Sequence, residues 1–315
     1  MTQRFFDLNT YLRDRFGERV QKITVDAGLT CPNRDGTLST GGCIYCNPKG
    51  SGSGAFADGL SITRQLQDSR DYIARRYKAE KFLVYFQSFS NTYGPLPVLK
   101  SMYDEALTAI EGVVGLSIGT RPDCVDQAVL GLLEEYARNY LIWLEYGLQS
   151  VHDETLHRIN RGHDFAAFER AVALTKGRGI QICAHVILGL PGEDRSHILE
   201  TARKIADLGI HGVKVHLLYV VKGTPLEREY RAGRYRPLEQ AEYAEWVCDF
   251  LELLPPEMVI QRITGDPHPE ELVAPDWSLD KNGTRNLILD ILEKRDSRQG
   301  KRFRRRSNEK GGETK

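Results

Sequence analysis

Three cysteines lie near the start of the chain, Cys31, Cys43 and Cys46, in the spacing C-x11-C-x2-C. The run between them is rich in Gly, Pro, Asn, Asp and Thr, so it reads as a loop and not as a packed element. Three thiolates on one loop point to a metal site, and the odd number points to an incomplete one. An iron–sulfur cluster normally takes four cysteines, so three leave one iron open to another ligand. Two rival chemistries stand beside this. A zinc site of three Cys and one His usually shows two close ligand pairs; here only Cys43 and Cys46 form one, and no His lies in the loop. Disulfides fit poorly, because six cysteines in 315 residues without a secretory signal point to a reducing compartment. Cys124, Cys183 and Cys248 lack ligand spacing and read as core thiols.

More polar chemistry follows the apolar runs. Gln87, Ser88, Ser90 and Asn91 form a dense set of amide and hydroxyl groups after one run. Another ends Gly119-Thr-Arg-Pro-Asp123, where Arg121 suits bidentate pairing with a carboxylate. A third carries Glu145 and ends at Gln149-Ser150, and a fourth ends His185-Val-Ile-Leu-Gly-Leu-Pro-Gly-Glu193. Residues 49–56 are Gly/Ser-rich and read either as a flexible loop or as a close backbone approach to a ligand.

The elements that must position these groups alternate. Short apolar strands are expected at 24–26, 81–87, 113–118, 140–149, 180–188, 212–221 and 258–263. Helices are expected at 62–77, 96–110, 123–138, 165–178, 193–208 and 238–253. This alternation predicts a parallel sheet of about six βα units plus one extra strand. Strand period puts Glu145 with Gln149, Gln181 with Cys183 and His185, and Lys214 with His216 on polar faces. The opposite faces, such as Leu144, Tyr146 and Leu148, are apolar. Helices cover the apolar side, so the polar faces line a concave interior. A closed barrel fills that space with aliphatics, and a polar interior predicts an open barrel around a polar ligand.

Lys+Arg and Asp+Glu both number 43, so net charge excludes no partner class, but its distribution is uneven. Residues 291–315 hold ten Lys/Arg against four acids. No apolar run approaches a membrane span and no signal peptide is seen, which predicts a cytoplasmic protein without membrane contact. The expected divisions are an N-terminal extension at 1–22, the barrel at 23–255, a capping segment at 256–295 and a basic, disordered tail at 296–315.

Taken together these motifs resemble the radical SAM superfamily, in its YhcC/YtqA-like branch. More distant likenesses are the radical domain of Elongator protein 3 and the anaerobic coproporphyrinogen oxidases. The resemblance spans about residues 5–290 and rests on the Cys31/Cys43/Cys46 loop with Tyr45, Gly119 to Asp123, Leu144 to Ser150, Arg158 to His163, and Leu188 to Gly192. It implies a partial (β/α)6 TIM-like barrel with a C-terminal extension. It implies a 4Fe–4S cluster on Cys31, Cys43 and Cys46 whose fourth iron chelates S-adenosylmethionine, and reductive cleavage to a 5′-deoxyadenosyl radical. By position, Ser88, Ser90 and Asn91, with Gln87 beside them, fall to the methionine amine. Glu145 and Arg121, with Gln149, fall to ribose and carboxylate, and Tyr45, Ile187 and Gly189 to adenine. His185, Lys214 and His216 are the inward candidates for substrate contact or proton transfer.

The same resemblance implies tRNA wobble-uridine modification, converting a 5-carboxymethylaminomethyl side chain to 5-aminomethyl. An electron donor such as flavodoxin or ferredoxin is implied with it. The basic tail, with Arg302, Arg304, Arg305 and Arg306, and a rim of Arg158, Arg161 and His163 suit phosphate contacts to tRNA. Two alternatives stay open: a radical SAM enzyme of a small molecule such as a porphyrinogen, and a non-catalytic, metal-stabilised RNA-binding protein. The Pro-rich run from Arg262 to Pro269 reads either as a cap over the open barrel or as a plain surface loop.

Overall fold

Runs of branched and aromatic residues form seven parallel strands in chain order. In the computed structural model, which describes residues 3–50 and 54–305, these are β1 (Val20–Val25), β2 (Lys81–Phe86), β3 (Val113–Thr120), β4 (Leu141–Gln149), β5 (Gln181–Leu188), β6 (Gly212–Leu217) and β8 (Val259–Arg262). They curl into an open half-barrel with β1 and β8 as its two edges. Every neighbouring pair is parallel, from β1–β2 through β6–β8. The run expected as one strand at 212–221 is broken instead. β6 stops at Leu217, and β7 (Val220–Val221) pairs antiparallel with β9 (Leu272–Ala274) in a small second sheet.

Helices cross between the strands: α2 (Ile62–Tyr77), α3 (Leu96–Thr108), α4 (Gln127–Ala137), α5 (Asp153–Arg158), α6 (Phe165–Thr175), α7 (Arg195–Asp207), α8 (Pro225–Arg231) and α9 (Gln240–Leu253). Their starts follow local chemistry. Ser61, Asp126, Asp164 and Thr224 each accept a backbone N–H of the first turn, and Asp194 forms a capping box with His197. The convex side of the sheet, including Leu144, Tyr146, Leu148, Ile182, Ala184, Val186, Val213 and Val215, forms the main core against these helices. At Gly115 an added Cβ would stand 1.9 Å from the Leu141 carbonyl, so only glycine lets β3 and β4 approach there.

Segments outside the expected βα units are also built in. α1 (Leu8–Phe16), capped by Asp7, seals the N-terminal end of the concave face. Its Leu12, with Leu8, Tyr11 and Phe16, packs on Leu83, Leu141, Trp143, Cys183 and Val259. α10 (Lys281–Lys294) was not expected as a helix; it packs on α9 through Ile288, Ile291 and Leu292. The segment expected to be disordered from 296 onward begins ordered. Ser297 and Gln299 are buried, and the Gln299 amide donates to the carbonyls of Pro255 and Met258 while accepting from Phe6 N. Gln299 thus satisfies backbone groups at the end of the barrel and Ser297 Oγ donates to the Glu252 carboxylate (2.7 Å), roles that charge-rich composition conceals. No described helix is long and apolar enough to cross a membrane.

Candidate active site

The cysteine loop lies at the carboxyl ends of the strands, tied down by the segment after α5. The Asn33 amide donates to Asn160 O (2.6 Å), the Asn160 amide donates to Gly42 O (2.7 Å), and Ile44 N donates to Ile159 O (3.1 Å). Arg34 holds the far end by donating to the carbonyls of Cys46 (2.7 Å) and Asn47 (2.8 Å). Arg161 is 7% exposed. Its guanidinium donates twice to Gly147 O on β4 and once toward Cys43 Sγ at 3.6 Å. An added Cβ at Gly147 would stand 2.6 Å from Arg161 Nη2, so the glycine makes room for the cation.

Cys43 is buried, and Cys31 and Cys46 are partly so. Burial pushes the Cys46 thiol up, and proximity to Cys43 and Cys31 pushes the same way while Arg34 opposes them. Among the described residues, no three His, Cys, Asp or Glu side chains converge on one metal ion. A 4Fe–4S cluster asks for something else, thiolates on separate irons and a cation to offset their charge. The three-sulfur loop with a buried Arg161 beside it fits that demand.

Next to the loop lie the hydroxyl and amide groups after β2. Gln87 is half-buried, and Ser88, Ser90 and Asn91 are buried. Ser90 Oγ is 2.9 Å from Thr120 Oγ1 and accepts from Arg121 N. The Asn91 amide N–H groups are spent on the carbonyls of Phe86, Ser88 and Gly119. Ser88 Oγ and Asn91 Oδ1 are buried without a partner among the described residues. Tyr45 and Ile187 belong to one apolar cluster with Leu156, Ile159 and Leu190 at the same end. The Gly189 carbonyl accepts from Tyr235 (3.0 Å), and Gln149, half-buried, takes φ +77 at the strand end.

Two expectations are corrected here. Arg121 does meet a carboxylate in bidentate fashion, but it is that of Asp123 (2.9 and 2.7 Å), with a third bond to Arg161 O. Its fork is thus occupied by the chain itself and positions the Arg161 loop. Glu145 is fully buried, and its oxygens are taken from four sides. Lys22 Nζ (2.9 Å), Ser117 Oγ (2.7 Å), His185 Nε2 (2.9 Å) and Lys214 Nζ all reach it, so a ribose contact would have to displace one of them.

This network fills the middle of the concave interior. His185, Lys214 and His216, expected to face inward, do so, with the His185 and His216 rings 5.3 Å apart. Burial would raise the Glu145 carboxyl, but Lys214 and Lys22, aided by the His185 hydrogen bond, hold it well below the usual range. Burial and then Lys214 push His185 down to about 4, and burial with Arg262 pushes His216 well down. Both rings are therefore neutral near pH 7. Lys22 was missed, because the first strand was expected at 24–26 and not at 20–25; the aliphatics Val20, Ile23 and Val25 were its signal. Ser117, Asn160 and the thiol-facing role of Arg161 were also missed. The tail arginines are less available than expected. Arg302 pairs with Glu252 (3.2 Å) and Arg305 with Glu257 (3.1 Å), while Arg304 is exposed and Arg306 lies outside the described residues.

Residues 35–205 match the Radical SAM superfamily, and residues 210–294 match the Radical_SAM C-terminal domain. The chain belongs to the radical SAM superfamily. As a radical SAM protein it is 43% identical over 303 residues to the uncharacterized protein YtqA of Bacillus subtilis, covering 96% of this chain and 94% of that one. It is also 29% identical over 162 residues to the tRNA uridine(34) acetyltransferase of Dehalococcoides mccartyi, covering 50% of this chain and 35% of that protein. Among solved structures, the archaeal Methanocaldococcus infernus Elp3 superposes with a TM-score of 0.65 at 15% identity, over 89% of this chain. The chain spans 64% of the length of that structure, and the likeness shows that the two radical SAM folds agree.

Proposed function

We propose that the chain is a tRNA-modifying radical SAM enzyme that acts on the side chain of a wobble uridine, taking 5-carboxymethylaminomethyl to 5-aminomethyl. The observation that carries the cofactor reading is the three-cysteine loop pinned by Asn160 and Arg161 over a polar half-barrel interior. When bound, a 4Fe–4S cluster and S-adenosylmethionine would supply an electron and the 5′-deoxyadenosyl radical that removes a substrate hydrogen. Cys31, Cys43 and Cys46 would hold the cluster. The unpartnered Asn91 Oδ1 and Ser88 Oγ offer acceptors for the methionine ammonium, and the Tyr45–Ile187 cluster offers an apolar seat for adenine. α1 excludes water from the far end of the interior.

The tRNA reading draws support from the uridine(34) relative and from the chain's kinship over half its length. Flavodoxin or ferredoxin is the electron donor that such chemistry would use. Two measurements test the proposal. Anaerobically reconstituted protein should bind about four irons and release 5′-deoxyadenosine. Nucleoside mass spectrometry of tRNA from a deletion strain should show the 5-carboxymethylaminomethyl form accumulating; an unchanged wobble profile removes the substrate and leaves the cofactor chemistry standing.

A further inference from the structure

Among the described residues, the interior holds a guanidinium with no carboxylate against it. Lys22 and Lys214 both reach Glu145. The side chain of Arg262, the last residue of β8, makes no hydrogen bond or ion pair among the described residues, although it is half-buried. It faces inward because of a break in register. Val213 pairs with Ile260, but Lys214 pairs with Arg262, so Gln261 is the extra residue of a bulge. Ile260 and Ile263 on either side join the outer core, while Gln261 reaches inward to accept from Lys22 at 2.9 Å. The influence of Arg262 on His185 and His216 places its charge on the same side.

A second observation points to a ligand. Gln261 Nε2 is buried without a partner, and its Oε1 is committed to Lys22, so the free atom is a donor. An unpaired guanidinium and an orphaned amide donor on adjacent residues call for one acceptor with two oxygens. Among the described residues no acid pairs with it: Glu145 is saturated, Asp266 pairs with Lys281, and Glu271 pairs with Lys49.

We infer that Arg262 and Gln261 bind a carboxylate carried on the side chain of the substrate, and so select acidic substrates. This rests on the reading of the interior as the substrate chamber of a radical SAM enzyme. The methionine carboxylate of S-adenosylmethionine has the same chemistry and must be told apart. The inward rim of β8 holds the reacting side chain by its far end, through charge-assisted bonds.

The test uses cluster-reconstituted protein and calorimetric binding of N-benzylglycine, an aryl-methyl glycine, against its neutral amide. Wild type should bind the acid at least about tenfold tighter, a difference of ~1.4 kcal/mol. Arg262→Gln should abolish the preference and Arg262→Lys should keep part of it, with the affinity for S-adenosylmethionine unchanged in both. Removing an unpaired cation strands no partner, so these variants should melt as wild type does. Equal affinity for acid and amide, no binding of either, or a preference that survives in Arg262→Gln overturns the inference. A tenfold weaker S-adenosylmethionine in Arg262→Gln also overturns it, by assigning the guanidinium to the cofactor. Failure of the tRNA reading shows separately, in the nucleoside profile, since the probe contains no nucleotide.

Discussion

The two ends of one concave surface are built on opposite principles. At the N-terminal ends of the strands, Leu83, Leu141, Trp143 and Val259 are buried under α1. Further along, the strands present Glu145, His185, Lys214 and His216, with the cysteine loop at their carboxyl ends. Both ends are buried, but only one is chemically idle. Strands and helices thus separate stability from chemistry along the strand axis, as βα-barrels commonly do. The buried charges in the middle are the boundary between the two regimes.

Substitutions at either end should break this division differently. The largest effect on chemistry is expected from Cys31→Ala, Cys43→Ala or Cys46→Ala. Each should remove the iron chromophore and 5′-deoxyadenosine release altogether; a variant that keeps both would show that the loop is not the cluster site. Trp143→Ala, at the end under α1, should cost about 3–5 kcal/mol of stability in denaturant titration, with the residual folded protein still binding iron. Glu145→Ala should cost a similar ~3–5 kcal/mol, because two lysines would be left buried without a counter-charge. It should also impair turnover, so the middle of the barrel answers to both readouts.

A pH titration sharpens the boundary. His185 is neutral when folded, with its pKa lowered to about 4, so the unfolded chain binds the proton first. Its contribution is complete above the unfolded value near 6.5 and is lost as pH falls toward about 4. Glu145, held low, adds a loss at still lower pH. Urea midpoints should therefore fall below pH 6.5, and His185→Gln should flatten that slope; an unchanged slope would place the loss elsewhere. The smallest effect belongs to the surface. Arg302→Ala should change stability by less than about 1 kcal/mol, and a large drop would mean that its pairing with Glu252 matters more than its exposure suggests.

Much of the sheet could be read from alternation, because strands with one apolar face and one polar face announce their register. Glu145, His185 and Lys214 were legible for that reason. Lys22 was not, since the adjacent Gln21 and Lys22 break the alternation of their strand, which looks like a surface run until its partner strand is known. Arg121 was read as a contact for a cofactor carboxylate, whereas the carboxylate it meets in the chain, Asp123, stands two residues away. A bulge adds one residue without any composition mark, so nothing in Gln261-Arg262 tells that both turn inward. Ser297 and Gln299 were hidden by the charges around them. Gln299 donates to backbone carbonyls and Ser297 to the Glu252 carboxylate, roles no hydropathy pattern records.

The seal at the closed end brings together opposite stretches of the chain. Ile260 N donates to Phe6 O, Phe6 N donates to Gln299 Oε1, and Gln299 N donates to Arg4 O. The first helix therefore cannot reach its resting place until the last strand and the residues beyond it have been synthesised. Until those residues exist, Trp143 and Leu83 would stand uncovered on a growing sheet. Contacts of such long sequence separation form late, and until they form the nascent chain should be prone to sticking to its neighbours or to need a chaperone.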